Sequence, residues 1–433
     1  MSQSQDRTAQ TTVHYDNQTV RWHFLFAHFF TILLVCTSIA QWAVPLWFFT
    51  TTTSIQLQYV SPLHVLMPFL FFSLNLSLLH FLRHFSRPPL LLRFLVRLYF
   101  AYGFTTVFCF AFLLLCAGIW LLLWLTCQMT GVLVVGLDPT CSVQASSWKI
   151  LYWSSILGVG TITAAFIYGY THGQQQVQIT RLILPLPDWP EVWQDLKILH
   201  LSDLHIGSNL STAELRSYLA RANALAPDLV FFTGDLIDAN PAYIPEFFPL
   251  LNQLTARYGV FACLGNHDVY AGTQAVADGL LRYTHITLLR DQVAHILING
   301  LPLHIVGVDD RGKDWARGLD NLPFLPYLLS SIPAGEPTIL LSHRPDLFRQ
   351  AAREGITLTL SGHTHGGQIA LPGWHGRFNL AYCITRFPRG LYTDRGKFLY
   401  VNRGLGVTGQ RVRIFTPREI ALLNCVSSFP DVP

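Results

Sequence analysis

At 433 residues, with 51% hydrophobic, 13% aromatic and only 12% charged residues, the chain is too apolar for an ordinary soluble enzyme, whose charged share is about a quarter. Charge is also uneven: residues 1–180 hold seven Lys or Arg, three Asp and no Glu, whereas the remainder carries 22 of each sign. The net charge of +4 thus arises in the first part, and the pI near 8.6 gives no ground for nucleic-acid binding by the second.

Residues 1–20 are polar. Four apolar runs follow, at about 24–49, 63–82, 98–124 and 150–170, each long enough to cross a hydrocarbon core. The first starts too late and runs too long for a signal peptide, and more spans follow it. Trp42, Trp47, Trp124, Trp148 and Tyr170 sit near run ends, as interface anchors would. A soluble helical bundle would need polar outer faces, which these runs lack. Residues 21–171 therefore read as a transmembrane domain of four predicted helices.

Arg83, Arg87, Arg93 and Arg97 fall between the second and third runs, while the other two links hold none and one, Lys149. The positive-inside rule then keeps the Arg-rich link, both termini and everything after residue 171 on the cytoplasmic side of a cell inner or cytoplasmic membrane. Ser73, Asn75 and Ser77 are mildly polar and suit helix–helix hydrogen bonding. No run has an internal Asp, Glu, Lys or Arg, which argues against a transport path. None of the eight cysteines forms a CxxC pair; Cys127 and Cys141 share the predicted outer link and could pair if that side is oxidising.

Residues 172–195, with Gln174 to Gln176, Pro185, Pro187 and Pro190, read as a connector into a second domain at 196–433. Strands are predicted at 196–201, 229–233 and 260–264. A capping box of Ser211 and Glu214 opens a helix to about Ala226, which Pro227 ends. A second helix is expected to include 249–256. Further strands are expected at 295–298, 304–308, 398–401 and 411–415, in a layered α/β sandwich.

Five apolar runs end abruptly in ligand-type residues: Asp203 and His205, Asp235, Asn266 with His267 and Asp268, His343, and His363 with His365. Buried strands of an α/β sheet deliver such residues beyond their ends, to one place. Asp203 and His205 flank Leu204, so an extended backbone would point both to one side. Mixed nitrogen and oxygen donors without sulfur suit Mn, Fe, Zn, Ni or Co better than an all-oxygen Mg or Ca cage. A single His-x-His is weak evidence; seven donors, each at or just past an apolar strand, are not easily coincidental. Gly362, Gly366 and Gly367 match neither a Rossmann nor a Walker spacing, and no G-x-S-x-G elbow is present, so neither a nucleotide cofactor nor a serine hydrolase is implied.

Asp203-x-His205, Gly234-Asp235, Gly265-Asn266-His267-Asp268, His343 and Gly362-His363-x-His365 together resemble the motif set of the calcineurin-like metallophosphoesterase superfamily, over about 195–423. The run Gly362 to Ile369 and the later Val401 to Gly406 resemble its bacterial membrane-associated branch of YaeI- and YkuE-type phosphodiesterases, to which a UDP-2,3-diacylglucosamine pyrophosphatase of lipid A synthesis also belongs. The four-run N-terminal region is larger than that branch's usual single anchor, and Arg418 separates a Pro and a Glu that the branch usually places together.

The resemblance implies a four-layer α/β/β/α sandwich and two divalent cations, manganese foremost. It gives one cation to Asp203, His205, Asp235 and His365 and the other to Asp235, Asn266, His343 and His363, with Asp235 shared. It makes His267 the group that protonates the departing oxygen or stabilises the phosphoryl group, and Asp268 its orienting partner. Arg344, adjacent to His343, is a candidate phosphate ligand or an exposed salt-bridging residue; His375, Arg377 and Arg403 are weaker substrate candidates. The function expected is a phosphodiesterase or pyrophosphatase that uses water activated between the cations, on an amphipathic phosphorylated substrate at the bilayer. No obligate protein partner is indicated. A non-catalytic sensor or scaffold would be favoured by a missing ligand or a missing His267, and none is missing.

Overall fold

The computed structural model describes residues 17–52, 63–84, 89–133, 142–186, 189–194, 196–207, 209–311, 318–373 and 378–427. His375, Arg377, Cys141 and the Cys127 side chain lie outside them. The chain divides into two compact units, Met1–Thr163 and Ala164–Pro433.

The first unit holds helices α1 (Asn17–Thr52), α2 (Leu63–His84), α3 (Leu90–Leu133) and most of α4 (Ser142–Thr171). Among the described residues, three stretches are long and apolar enough to cross a membrane: Thr31–Phe48, Phe94–Thr126 and Lys149–Gln175. The second expected run is represented by a shorter apolar stretch, Leu66–His80. Asn75 of α2 is buried and donates to Ser38 Oγ and Gln41 Oε1 of α1, both at 3.0 Å. Asn75 thus ties α2 to α1 by side-chain hydrogen bonds within an apolar bundle, the role expected of it.

In the second unit two six-stranded sheets lie face to face. The first runs β1 (Val177–Pro185), β12 (Arg418–Val426), β2 (Leu196–Leu201), β3 (Leu229–Thr233), β4 (Val260–Cys263) and β5 (Thr287–Leu288). The second runs β10 (Gly390–Asp394), β11 (Lys397–Val401), β9 (Leu358–Ser361), β8 (Thr338–Ser342), β7 (Leu301–Val308) and β6 (Gln292–Ile298). β2 to β5 are parallel, as are β11, β9, β8 and β7.

Alternation along each strand makes the layers. Leu229 and Phe231 of β3 enter a core shared with Ile339, Leu341, Leu358 and Leu360 of the second sheet. Val230 and Phe232, one residue out of phase, enter another core with Leu215, Leu219, Phe248 and Leu280 of the helices α5 (Thr212–Asn223), α6 (Ile244–Leu251) and α7 (Asn266–Tyr283). The outer face of the second sheet is covered by α8 (Leu325–Leu329) and α9 (Phe348–Arg353), through clusters around Leu340, Leu347 and Ala351 and around Phe348 and Leu399. The order is helices, sheet, sheet, helices, as expected.

Three local expectations are corrected. Residues 172–195 are not simply a connector: Val177–Pro185 pairs in parallel with Arg418–Val426 as an edge strand, where Pro185, at its end, gives up no needed N–H. The second helix is Ile244–Leu251, not one including 249–256; Asn240 caps the turn before it, Pro245 takes the first turn, and Asn252 bonds Tyr283 O and His285 N instead of continuing the helix. Residues 411–415 make one isolated bridge, Ile369 to Ile414, and no strand, since Arg413 turns inward and Phe415 has φ +54°. By contrast, the Ser211–Glu214 capping box forms as expected.

Candidate metal centre

The seven candidate donors all follow the C-terminal ends of parallel strands: Asp203 and His205 after β2, Asp235 after β3, Asn266 after β4, His343 after β8, and His363 and His365 after β9. Sheets that pack face to face with these ends together bring five loops to one place. Asp203, His205, Asp235, His363 and His365 have φ between 46° and 69°, the left-handed region. Backbone strain at five of seven such positions persists only where the surroundings fix it, and it clusters at functional sites. The extended Asp203–His205 segment expected from alternation is therefore corrected: both side chains are delivered by left-handed turns on either side of buried Leu204.

The donor atoms form two adjoining groups. In one, His205 Nε2 lies 3.0 Å from His365 Nε2 and 3.9 Å from Asp203 Oδ1, and His365 Nε2 lies 3.4 Å from the same oxygen. In the other, His343 Nε2 lies 3.2 Å from Asn266 Oδ1 and 3.3 Å from His363 Nδ1. Asp235 Oδ2 reaches both, at 3.5 Å from His205 Nε2 and 3.2 Å from His343 Nε2. Donors that bind one cation at about 2.0–2.2 Å stand about 3.0–3.5 Å apart, so most of these separations fit two cations with Asp235 between them. Only the 3.9 Å pair exceeds that range.

Partners behind the donors fix which nitrogen faces the centre. His343 Nδ1 donates to Thr233 O at 2.6 Å and His205 Nδ1 to Asp238 Oδ1 at 3.2 Å, which leaves each Nε2 lone pair inward. Asp203 accepts from His363 N at 3.1 Å. A loop at 402–406 closes over it: Leu405 N donates to Ser202 O, and a Cβ on Gly404, at φ +74°, would lie 2.7 Å from Asp203 Cβ. Buried Arg413 donates to the carbonyls of Arg403, Gly404 and Gly406 and stands 3.3 Å from His365 Nδ1.

Without a cation the charges conflict. Burial and the neighbouring Asp235 raise the Asp203 carboxyl, even though His343 and His205 oppose this. Burial also pushes Asp235 up, but the His343 charge and hydrogen bond outweigh it and hold the carboxyl well below its usual range. Burial together with His205 and Arg413 drives His365 far below an ordinary imidazole. Two buried carboxylates beside four imidazoles and an amide oxygen make a donor set that positive charge would satisfy.

His267 stands at the rim, 23% exposed, its ring 4.6 Å from that of His205. Its Nδ1 donates to Asp238 O at 2.6 Å, and its backbone N–H to Asp235 Oδ1 at 2.8 Å. Burial lowers its pKa, but the Asp238 hydrogen bond and the Asp235 and Asp238 charges outweigh this and raise it to about 9. The expected orienting role of Asp268 is corrected. Its oxygens accept from Ile237 N and Gly265 N, at 3.0 and 2.9 Å, so it braces two ligand loops, and burial with the Asp235 charge lifts it to about 7. Asp238, which sequence reading missed, takes that role; its signal was its position three residues beyond Asp235.

The substrate candidates fare differently. Arg344 is buried and bidentate on Asp310, at 2.6 and 3.3 Å, so neither an exposed salt bridge nor an open phosphate ligand describes it. The Arg403 guanidinium is taken up by Glu419 at 2.8 Å, Gln178 and Thr180. That arrangement binds β12 to the 402–406 loop and corrects its reading as a substrate contact. Arg418 is also buried, donating to Gln174 O and Leu405 O.

Residues 196–367 match the family model described as calcineurin-like phosphoesterase. An uncharacterized metallophosphoesterase, YkuE, of Bacillus subtilis is 31% identical over 277 residues, 63% of this chain and 94% of that protein. An uncharacterized metallophosphoesterase of Campylobacter jejuni is 35% identical over 243 residues, 54% of this chain but only 60% of the relative's length. A Bos taurus protein described as a transmembrane protein with metallophosphoesterase domain is 27% identical over 327 residues, 69% of this chain and 72% of that protein. With the strand-end donors, the layered sheets and a relative matched over nearly its whole length, the chain belongs to the calcineurin-like metallophosphoesterases.

Proposed function

We propose that the protein is a metal-dependent phosphodiesterase or pyrophosphatase that acts on a membrane-associated phosphorylated substrate from the cytoplasmic face. The observation that carries the reading is Asp235 Oδ2, within 3.2–3.5 Å of imidazoles from two separate donor groups. Two divalent cations, manganese foremost and Fe, Zn, Ni or Co otherwise, would supply positive charge to the phosphoryl oxygens and lower the pKa of the attacking water. Asp203, His205 and His365 would hold one, Asn266, His343 and His363 the other, and Asp235 both.

The chain's own residues supply the remainder. With Nδ1 committed to Asp238 O, His267 has Nε2 left to meet the departing oxygen, and its raised pKa keeps a proton there near neutral pH. Asp238 holds His267 and His205 together, so the proton donor and the donor group keep a fixed spacing. Candidate membrane spans in the same chain favour a lipid-borne ester, since tethering raises the effective concentration of substrate in the same bilayer. A UDP-linked diacylated sugar is one such substrate.

The test is turnover by detergent-purified full-length chain, with Mn added, on UDP-diacylglucosamine, CDP-diacylglycerol, lipid phosphates, cyclic nucleotides and model diesters. Asp235→Asn serves as control and is expected to lose most activity and at least one tightly held metal. A variant that keeps two metals and near-native turnover under limiting metal would refute the shared-ligand assignment.

A further inference from the structure

An apolar face beside the metal centre is built onto the end of a candidate membrane span. The span Lys149–Gln175 includes the last turns of α4, and from Ala164 onward these belong to the second unit. There they pack on the 410–415 segment. A Cβ on Gly169 would lie 2.6 Å from Ile414 Cγ1 and 2.8 Å from Val412 Cγ2, so no larger residue fits without movement. Arg413 N donates to Gly169 O, and the Tyr168 ring stacks on Phe415 at 6.2 Å. Tyr168 and Tyr170 are the amphipathic rings that favour a membrane–water boundary.

The same segment is joined by backbone to the loop carrying His365. Ile414 N donates to Gln368 O at 2.8 Å, and Ala370 N to Ile414 O at 2.9 Å. Beyond Gln368, residues 369–371 and 378–380 pair antiparallel. Ala370 bridges Asn379, Leu371 N donates to Phe378 O at 2.8 Å, and Leu380 N donates to Ile369 O at 3.3 Å. Alternation puts Ile369, Leu371, Phe378 and Leu380 on one face and Ala370 on the other. Ala370 is 3% exposed, yet Leu371 is 63%, Phe378 56%, Leu380 45% and neighbouring Phe415 48% exposed. Large apolar side chains grouped this way mark a surface that water does not normally cover.

We propose that the face formed by Ile369, Leu371, Phe378, Leu380 and Phe415 is seated in the head-group and upper acyl region of the bilayer. The occupant is lipid because Phe415 of the face stacks on Tyr168, within the last turns of that candidate span. The metal centre then opens at lipid head-group height, and the ester it receives is borne by a lipid in the plane of the membrane. This last step rests on the phosphoesterase reading above; the seating itself does not.

An environment-sensitive fluorescent amino acid is incorporated at position 371 of the full-length chain, reconstituted in phosphatidylcholine vesicles with or without bromine on the acyl chains. Brominated lipid is expected to reduce emission about two-fold at 371, as for a side chain buried 5–10 Å into the interface, and to leave the same probe at Leu281, 84% exposed, unchanged. Equal emission at both positions would overturn the seating. In parallel, the double variant Leu371→Ser, Phe378→Ser is expected to raise KM for a vesicle-borne phosphodiester about ten-fold while turnover of soluble bis(p-nitrophenyl) phosphate is unchanged. Quenching at 371 with no cleavage of any vesicle-borne ester, but normal cleavage of the soluble one, would sustain the seating and overturn the lipid substrate. Cleavage of neither would refute the phosphoesterase reading and leave the seating judged by quenching.

Discussion

In the proposed reaction His267 and Asp238 divide one chemical task between them. A proton donor to a leaving oxygen must be charged at working pH and held still, and the two Asp238 contacts do both to His267. His267→Ala is expected to keep its metal content while turnover falls by roughly 10²- to 10⁴-fold, the size of a lost general acid. On a series of esters the loss should shrink as the leaving group's pKa falls; a loss of constant size would instead assign His267 to electrostatic stabilisation of the phosphoryl oxygens. Asp238→Asn keeps a side-chain acceptor but removes the charge that helps raise His267. A turnover loss of about 10- to 100-fold is expected, with the basic limb of the pH profile moved below that of the native enzyme, because the imidazolium is less favoured. An unshifted limb would separate Asp238 from proton transfer.

At the scale of elements, β12 and the 402–406 loop hold the centre from behind. Glu419 of β12 is fully buried and accepts from Arg403 N, the Arg403 guanidinium, Tyr400 Oη and Thr180 Oγ1. Burial raises its carboxyl, but the Arg403 charge and these hydrogen bonds outweigh that and depress it below the ordinary 4.5. A depressed folded-state pKa stabilises the fold fully above the unfolded value, and that stabilisation is lost as pH falls below about 4.5 toward the folded value. Glu419→Gln should therefore lower stability by about 3–5 kcal/mol at pH 7, through the unpaired buried Arg403, and flatten the loss of stability on the acid side. Denaturant midpoints followed from pH 7 to well below 4.5 measure both; a variant as acid-sensitive as the native chain would remove Glu419 from the account.

Across the whole molecule, charge placement is expected to set how the chain enters a membrane. The cluster from Arg83 to Arg97 and the second unit are expected on the same, cytoplasmic side. Protease treatment of right-side-out vesicles should leave the second unit intact, and its cleavage from outside would reverse the assignment. The first unit offers no ionised residue inside its apolar runs, and the Asn75 amide there is bonded to Ser38 and Gln41 of α1, which suits helix packing rather than passage of a solute.

The sequence by itself determined the apolar runs, the buried strands β2, β3 and β4 and the residues that end them. Continuous burial of a strand on both faces leaves a run that needs no knowledge of its neighbours, and the ligand-type residues stand directly at its end. Only the tertiary structure decided how those residues are presented and braced. Left-handed backbone at Asp203 and His205 replaces the extended one that alternation implied, because the turns are held by Gly234, Asp235 and the 402–406 loop rather than by local preference. Asp238 displaces Asp268 as the partner of His267 because Asp268, three residues along a helix from Gly265, is spent on capping that turn. The edge strand Val177–Pro185 was illegible for the same reason: its pairing partner, Arg418–Val426, lies some 240 positions away in register, and no pattern within either segment encodes the other.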